Sequence, residues 1–180
     1  MRVNTIAALL YGALVLAGCA GAAPERESDP VIAGQRYAGA PVNLGAVKMH
    51  LALRESAPPP GGERGPENAR LSLGFLAAAD SARVVVGGAT LSYGERTAEL
   101  VTRQQAQGTA QGCGPEGGAM LALDYWFAAT VTADFWNCVT LAFVTPGRLA
   151  GDALELRLGT LNVDGEPVHT LPVSFAPRAD

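Results

Sequence analysis

The residues best suited to chemistry in this sequence are three cysteines, Cys19, Cys113 and Cys138, and two histidines, His50 and His169. Structural zinc sites need clusters of such residues at short spacing, and the chain has no CxxC pair and no His cluster. We therefore predict neither a metal centre nor a cofactor. Both histidines are expected on the solvated surface, His50 at an outward position of a strand and His169 in a connection.

Motifs for hydrolysis and nucleotide binding are absent from the sequence. There is no GxSxG motif, and Ser81 and Ser92 are expected in a turn and a strand. Asp124 and Asp134 form a candidate carboxylate pair for glycoside hydrolysis, but their context favours a solvent-facing strand position and a turn. Segment 162–166 has only part of a calcium loop. The sequence therefore predicts a protein that is not an enzyme.

Trp126 and Trp136 are the candidate binding residues. Both fall opposite the most apolar side of their predicted strands, and an outward tryptophan is typical of a binding groove or a protein interface. In the alternative, which we favour, both faces of these strands are covered and Trp136 packs on a disulfide bond. The two tryptophans are retained as a candidate binding surface.

The N-terminus has the pattern of an export signal. Arg2 precedes an apolar stretch at 6–17, which is shorter than the roughly 20 residues of a membrane span. The sequence Leu16-Ala17-Gly18-Cys19 then resembles the lipobox of bacterial lipoproteins. This resemblance implies diacylglyceryl transfer to the Cys19 thiol, cleavage after Gly18, and acylation of the new amino group.

The resemblance also implies a location in the cell envelope. Two acyl chains hold a protein stably on a membrane, whereas one chain binds only marginally. Position 20 is Ala20 and not the Asp that resembles an inner-membrane retention signal, so a Gram-negative cell is expected to place the protein on the outer membrane, facing the periplasm. With a net charge of -4 and Lys48 as its single lysine, the chain has no basic patch for nucleic acid.

Export also bears on the two remaining cysteines. Because disulfides persist in oxidising compartments, we predict a bond between Cys113 and Cys138. For a loop of this length, chain entropy gives roughly 3 to 4 kcal/mol of stabilisation. The bond would pin the flexible stretch around Cys113 against the core sheet.

These observations divide the chain into three predicted segments. Residues 1–18 are the predicted signal peptide. Residues 19–40 hold the lipidated cysteine and a small, polar, Pro-containing run that predicts a flexible tether. The folded domain is expected at 41–177.

Within the domain, apolar residues alternate with polar ones, which is typical of half-buried strands. The predicted strands include 47–54, 71–75, 83–86 and 90–93, and Gly87-Gly88 is either a tight turn or a bulge within one longer strand. Segment 97–107 is ambiguous between strand and helix, with a strand favoured for its first part. Two central strands are predicted, from the runs that end at Phe127 and that span 135–143.

Three further predictions concern the C-terminal part of the domain. Leu154, Leu156 and Leu158 predict a strand, Asp164-Gly165 predicts a hairpin, and a last strand is expected at 171–175. The fold predicted is all-β, an antiparallel β-sandwich that includes the immunoglobulin-like form. A small closed barrel is the alternative.

Two functions fit these features. The first is a membrane-anchored, non-enzymatic lipoprotein that binds another envelope protein or assists an assembly. The second is a lipoprotein that binds a small ligand or glycan through its tryptophans and the loop at 57–67.

Overall fold

A computed structural model describes residues 25–56, 69–109, 112–113, 119–121, 126–145 and 152–177. The regular elements in these ranges are β-strands, in agreement with the all-β prediction. The strands are β1 (Glu25–Ile32), β2 (Gln35–Arg36), β3 (Val42–Asn43), β4 (Val47–Ser56), β5 (Ala69–Ala77), β6 (Ser81–Val86), β7 (Ala89–Tyr93), β8 (Arg96–Thr97), β9 (Glu99–Gln107), β10 (Ala119–Met120), β11 (Ala128–Thr132), β12 (Asn137–Val144), β13 (Leu154–Leu158), β14 (Leu161–Val163), β15 (Glu166–Val168) and β16 (Val173–Pro177).

The strands form two antiparallel sheets, and the predicted β-sandwich is confirmed. The main sheet has the order β10-β9-β12-β5-β4-β1-β16-β13-β7-β8, with β2 beside β1 and β3 beside β4. The second sheet has the order β11-β6-β14-β15. Phe75 of the main sheet stacks on Phe127, which precedes β11, with ring centroids 5.3 Å apart. This contact joins the two sheets through the core.

Alternation of apolar residues produces the inner face of the main sheet. In β4 the inward residues are buried and Lys48 between them is exposed, because successive side chains of a strand point to opposite faces. The same holds for β5 and β12, whose residues lie opposite one another in register. The inward residues of these three strands are Val47, Met49, Leu51, Leu53, Ala69, Leu71, Leu73, Phe75, Ala77, Val139, Leu141 and Phe143.

The Gly87-Gly88 pair is a corner between the two sheets and not a tight turn. The register is the same on both sides of it, with Val86 opposite Leu161 and Ala89 opposite Leu158. No residue is inserted, so the corner is a bend within one long two-stranded ribbon. A Cβ on Gly87 would overlap the Thr160 hydroxyl, so the bend needs glycine there.

The predicted flexible tether is wrong from Glu25 onward. Strand β1 lies inside the main sheet, between β4 and β16, and Ser28 and Asp29 are buried. The segment has few apolar residues, so its composition resembles a linker. Its main chain nevertheless completes hydrogen-bond ladders on both sides, which is a tertiary property. The folded part thus includes Glu25, and the predicted start at 41 is too late.

The prediction of a central strand ending at Phe127 is also wrong in its described parts. Ala119 and Met120 form a two-residue strand at the end of the main sheet, paired with β9. Phe127 enters the second sheet instead. Leu123 and Tyr125 lie outside the described residues. A run of apolar residues does not show where the chain passes from one sheet to the other.

The other strand predictions agree with the structure except in their bounds, and the last strand is Val173–Pro177 instead of 171–175. β12 is central, between β9 and β5, and Glu99–Gln107 is a strand. Asp164 and Gly165 have φ values of 52° and 86°, as the predicted two-residue hairpin requires. In the described part of the chain, no helix is long and apolar enough to span a bilayer.

Candidate binding surfaces

The predicted disulfide bond is present. Cys113 and Cys138 are joined, with Cα atoms 5.7 Å apart. Cys138 belongs to β12, where its neighbours Val139 and Asn137 point to the opposite face of the strand from the cysteine. The bond therefore lies on the outer face of the main sheet, away from the core that Val139 enters, and ties Cys113 to that face.

The disulfide lies directly over Gly74 of β5. Gly74 is opposite Cys138 in register, and a Cβ on it would overlap Cys113 Sγ and lie 3.3 Å from Cε3 of Trp136. Gly108 is similarly confined, since its Cβ would lie 2.9 Å from both Cys138 Sγ and Trp136 Cβ. Two glycines therefore give the disulfide and the indole room to lie against the sheet.

Trp136 is covered, so its predicted role in an exposed binding surface is wrong. The side chain is only 5% exposed. Its ring meets the ring of His50 edge-on, and its carbonyl oxygen accepts a hydrogen bond of 2.6 Å from Gly108 N. The alternative in which Trp136 packs on the disulfide is the correct one. We call Gly74, His50, Cys113, Trp136 and Cys138 the disulfide cluster.

His50 is on the outer face of β4, as predicted, but it is half-buried and not a fully solvated side chain. Its Nδ1 is buried, and no group in the described part of the chain makes a hydrogen bond to it. Desolvation lowers the pKa of His50, and the nearby Glu27 carboxylate partly opposes this shift. The imidazole is thus held toward its neutral form beside Trp136.

Trp126 is half-buried and stacks on an arginine that sequence reasoning missed. The guanidinium carbon of Arg103 lies 4.2 Å from the centroid of the indole ring, a cation–π contact. Arg103 is completely buried and lies opposite Leu141, on the inward side of β9. A charged residue on a strand is ordinarily assigned to the solvent side, so the sequence offered no signal for this pair.

Among the strands that the structure describes, β11 lies at one edge of the second sheet and has main-chain groups that face away from its neighbour β6. Val86 N donates to Phe127 O at 2.8 Å, and Ala133 N donates to Asp80 O at 3.3 Å. In an antiparallel ladder, residues alternate between bonding the neighbour and facing away from it. Odd-numbered residues therefore bond β6, and the N–H and C=O groups that face away from β6 belong to Ala128, Thr130 and Thr132.

The opposite edge of the second sheet is protected. Pro167 of β15 is paired in register with Asn162, and the hydrogen bond from Asp164 N to Arg83 O directs the even-numbered residues of β14 toward β6. The backbone of Pro167 consequently faces outward, where it offers no N–H. Proline and charged residues such as the exposed Glu166 are the usual means of blocking strand addition. Strand β11 has neither.

The remaining candidate residues do not converge on a site. Asp134 is exposed in a bend, His169 is exposed, and Ser92 donates a hydrogen bond to the carbonyl of Glu155. Cys19 and Asp124 lie outside the described residues. Within the ranges that the structure describes, no three His, Cys, Asp or Glu residues are grouped to hold a metal ion.

Comparison of the chain with protein-family models, curated proteins and solved structures found no significant match.

Proposed function

We propose that this chain is a cell-envelope lipoprotein, held on a membrane by lipid on Cys19, whose non-enzymatic β-sandwich binds another envelope protein. The observation that carries the protein-binding part is the edge of β11. The strand has five residues without charge or proline, Ala128 to Thr132, and three of them, Ala128, Thr130 and Thr132, present main-chain groups outward. The opposite edge of the same sheet carries Pro167, so the two edges are not equivalent.

An edge of this kind fits an extended segment of a partner protein. Each outward residue offers one N–H donor and one C=O acceptor. A strand that pairs with Ala128, Thr130 and Thr132 would form hydrogen bonds worth about 0.5 to 1.5 kcal/mol each. Pockets beside an edge give specificity in such complexes, and the half-buried Trp126 lies two residues before β11. Partner side chains would therefore meet an indole at one end of the added strand.

The disulfide bond supports the envelope part of the proposal. Disulfides are stable outside the cytoplasm and rare within it. The bond in this chain closes over the main sheet between Cys113 and Cys138, the two cysteines that remain if Cys19 carries lipid. Export, lipidation and the bond are therefore mutually consistent.

Replacement of Thr130 by proline tests the edge. Thr130 N faces away from β6, so Thr130→Pro removes one outward donor without removing a ladder bond to β6. The matched control is Thr130→Val, which keeps the N–H and favours strand structure. The lipidated protein is cross-linked in envelopes, and partners are quantified by mass spectrometry.

We expect a partner captured by the wild type and by Thr130→Val to be lost from Thr130→Pro, with both variants melting close to the wild-type temperature. Equal capture by the two variants would exclude the β11 edge as the docking site. Absence of any reproducible partner would contradict the protein-binding role itself.

A further inference from the structure

The place of β1 in the main sheet fixes where the proposed anchor joins the folded domain. Glu25 begins β1 and lies opposite Ser56, the last residue of β4. Glu55 in turn lies opposite Ala69, the first residue of β5. We call Glu25, Ser56 and Ala69 the near end of the sheet. β4 pairs with β1 from Glu25 to Ser28, and β16 pairs with β1 from Ser28 to Ile32, so the strand that begins at the near end is fixed in the sheet on both sides along its length.

Little chain separates the near end from the proposed lipid. Only residues 20–24 lie between Cys19 and Glu25. Six Cα-to-Cα steps, even fully extended, span at most roughly 22 Å. A headgroup layer about 5 to 7 Å thick takes up part of that length, because the lipid chains end beneath it. The near end is therefore held close to the bilayer surface.

The other end of the same strands lies farther away than this tether can reach. β4 runs ten residues from Ser56 back to Val47, which lies opposite Ala77. Nine steps of about 3.3 Å separate the two ends by roughly 30 Å. We call Val47, Ala77 and the turn 78–80 the far end. For the far end to face the bilayer, Glu25 would need to stand about 30 Å from it, beyond the length of the tether.

The end of β11 lies at the far end. Ala78 N donates to Ala46 O, and Ala133 N, directly after β11, donates to Asp80 O. The C-terminal end of β11 is therefore hydrogen-bonded to the turn that lies at the far end.

We infer that the protein stands on the membrane in one orientation, with the near end against the lipid surface and the far end, including the end of β11, directed away from it. This inference rests on the proposed lipid on Cys19. The near end carries both signs of charge, with exposed Arg26 and Arg70 beside Glu27 and Glu55. The inference is therefore drawn from the length of the tether, which does not change with salt, and not from attraction of the near end to the lipid surface.

Fluorescence quenching from the lipid surface tests the orientation. The full lipidated chain is placed in phosphatidylcholine vesicles that contain a lipid with a nitroxide headgroup. Ser56→Cys places one thiol at the near end, and Ala79→Cys places one in the exposed turn of the far end. Each variant is labelled with a small maleimide fluorophore, while the native disulfide and the lipid leave no other free thiol.

We expect the fluorophore at position 56 to be quenched several-fold more than the fluorophore at position 79, at low and at high salt. A twenty-residue Gly/Ser insertion between Ala23 and Pro24 is expected to remove the difference, because a flexible chain of about that length spans roughly 25 Å on average.

The experiment distinguishes failure of the inferred orientation from failure of the proposed lipid anchor. A chain whose mass shows lipid, but whose two positions are quenched equally, overturns the orientation and leaves the anchor intact. A chain that carries no lipid and does not float with vesicles overturns the anchor and the orientation together.

Discussion

The ring of Trp136 meets the ring of His50 edge-on, with centroids 5.9 Å apart and planes inclined at 68°. The contact joins β4 to the residue preceding β12, across β5, where Gly74 leaves the space between them. His50 and Trp136 therefore pack beside the disulfide on the outer face of the main sheet. Around Gly74 the outer face of the sheet is therefore packed, whereas Lys48 and Arg70 on the same face are exposed.

We predict that His50 makes stability depend on pH. Its folded-state pKa is below its ordinary value of 6.5 because burial disfavours the charged form. The unfolded chain therefore binds a proton more readily, and the free energy of unfolding declines as pH falls below 6.5, until the folded pKa is passed. Denaturant unfolding at pH 7.5 and pH 5.5 measures the decline.

The control for this prediction is His50→Gln, which lacks the titrating group. We expect its stability to change less between the two pH values than that of the wild type. If the free energy of unfolding declined equally in the wild type and in His50→Gln, groups other than His50 would cause the pH dependence.

Gly74→Ala is predicted to destabilise the domain. The added Cβ would overlap Cys113 Sγ and crowd Trp136, and overpacking of this kind costs about 1 to 3 kcal/mol. The comparison is Ser72→Ala, a change on the same face of β5, which is expected to have a smaller effect. Urea unfolding of the wild type and both variants measures the change in the free energy of unfolding.

A double-mutant cycle locates the cause of the Gly74 effect. In a background of Cys113→Ala and Cys138→Ala, the sulfur atom that the new Cβ meets is absent. The Gly74→Ala penalty should then shrink. A penalty of unchanged size would mean that backbone effects in β5, and not contact with the disulfide, cause it.

Loss of the disulfide bond is predicted to lower stability by roughly 3 to 4 kcal/mol, because the bond restricts a 25-residue separation in the unfolded chain. The Cys113→Ala, Cys138→Ala variant is compared with the wild type by denaturant unfolding. Thiol titration of the denatured, unreduced wild-type domain should find neither cysteine free. Two reactive thiols in that titration would contradict the bond.

Cys19→Ser is predicted to yield a protein without lipid. The thiol that the lipobox resemblance assigns to diacylglyceryl transfer is then absent, and no acyl chain anchors the product. Fractionation should recover the wild type with membranes and this variant in the soluble fraction. Recovery of the variant with membranes at the wild-type level would show that another feature of the protein binds them.

The sequence by itself determined the fold class and the disulfide pairing. Apolar and polar residues alternate along β4, β5 and β12 because a strand has a two-residue period, which is a property of local backbone geometry. The Asp164-Gly165 hairpin follows from the φ values that those two residues accept. With Cys19 assigned to lipid by the lipobox resemblance, two cysteines remain, and they allow one intramolecular pairing.

The tertiary structure alone decided how these elements combine. Strand β1 resembles a linker in composition, because its burial comes from the neighbouring β4 and β16, which no local pattern encodes. Trp136 is covered because the disulfide joins Cys113 to Cys138 beside it, and because Gly74 and Gly108 leave room for the indole against the sheet. Arg103 is buried under Trp126 because of strand register. The β11 edge and the near end of the main sheet are likewise products of strand order, which depends on contacts between residues far apart in the chain.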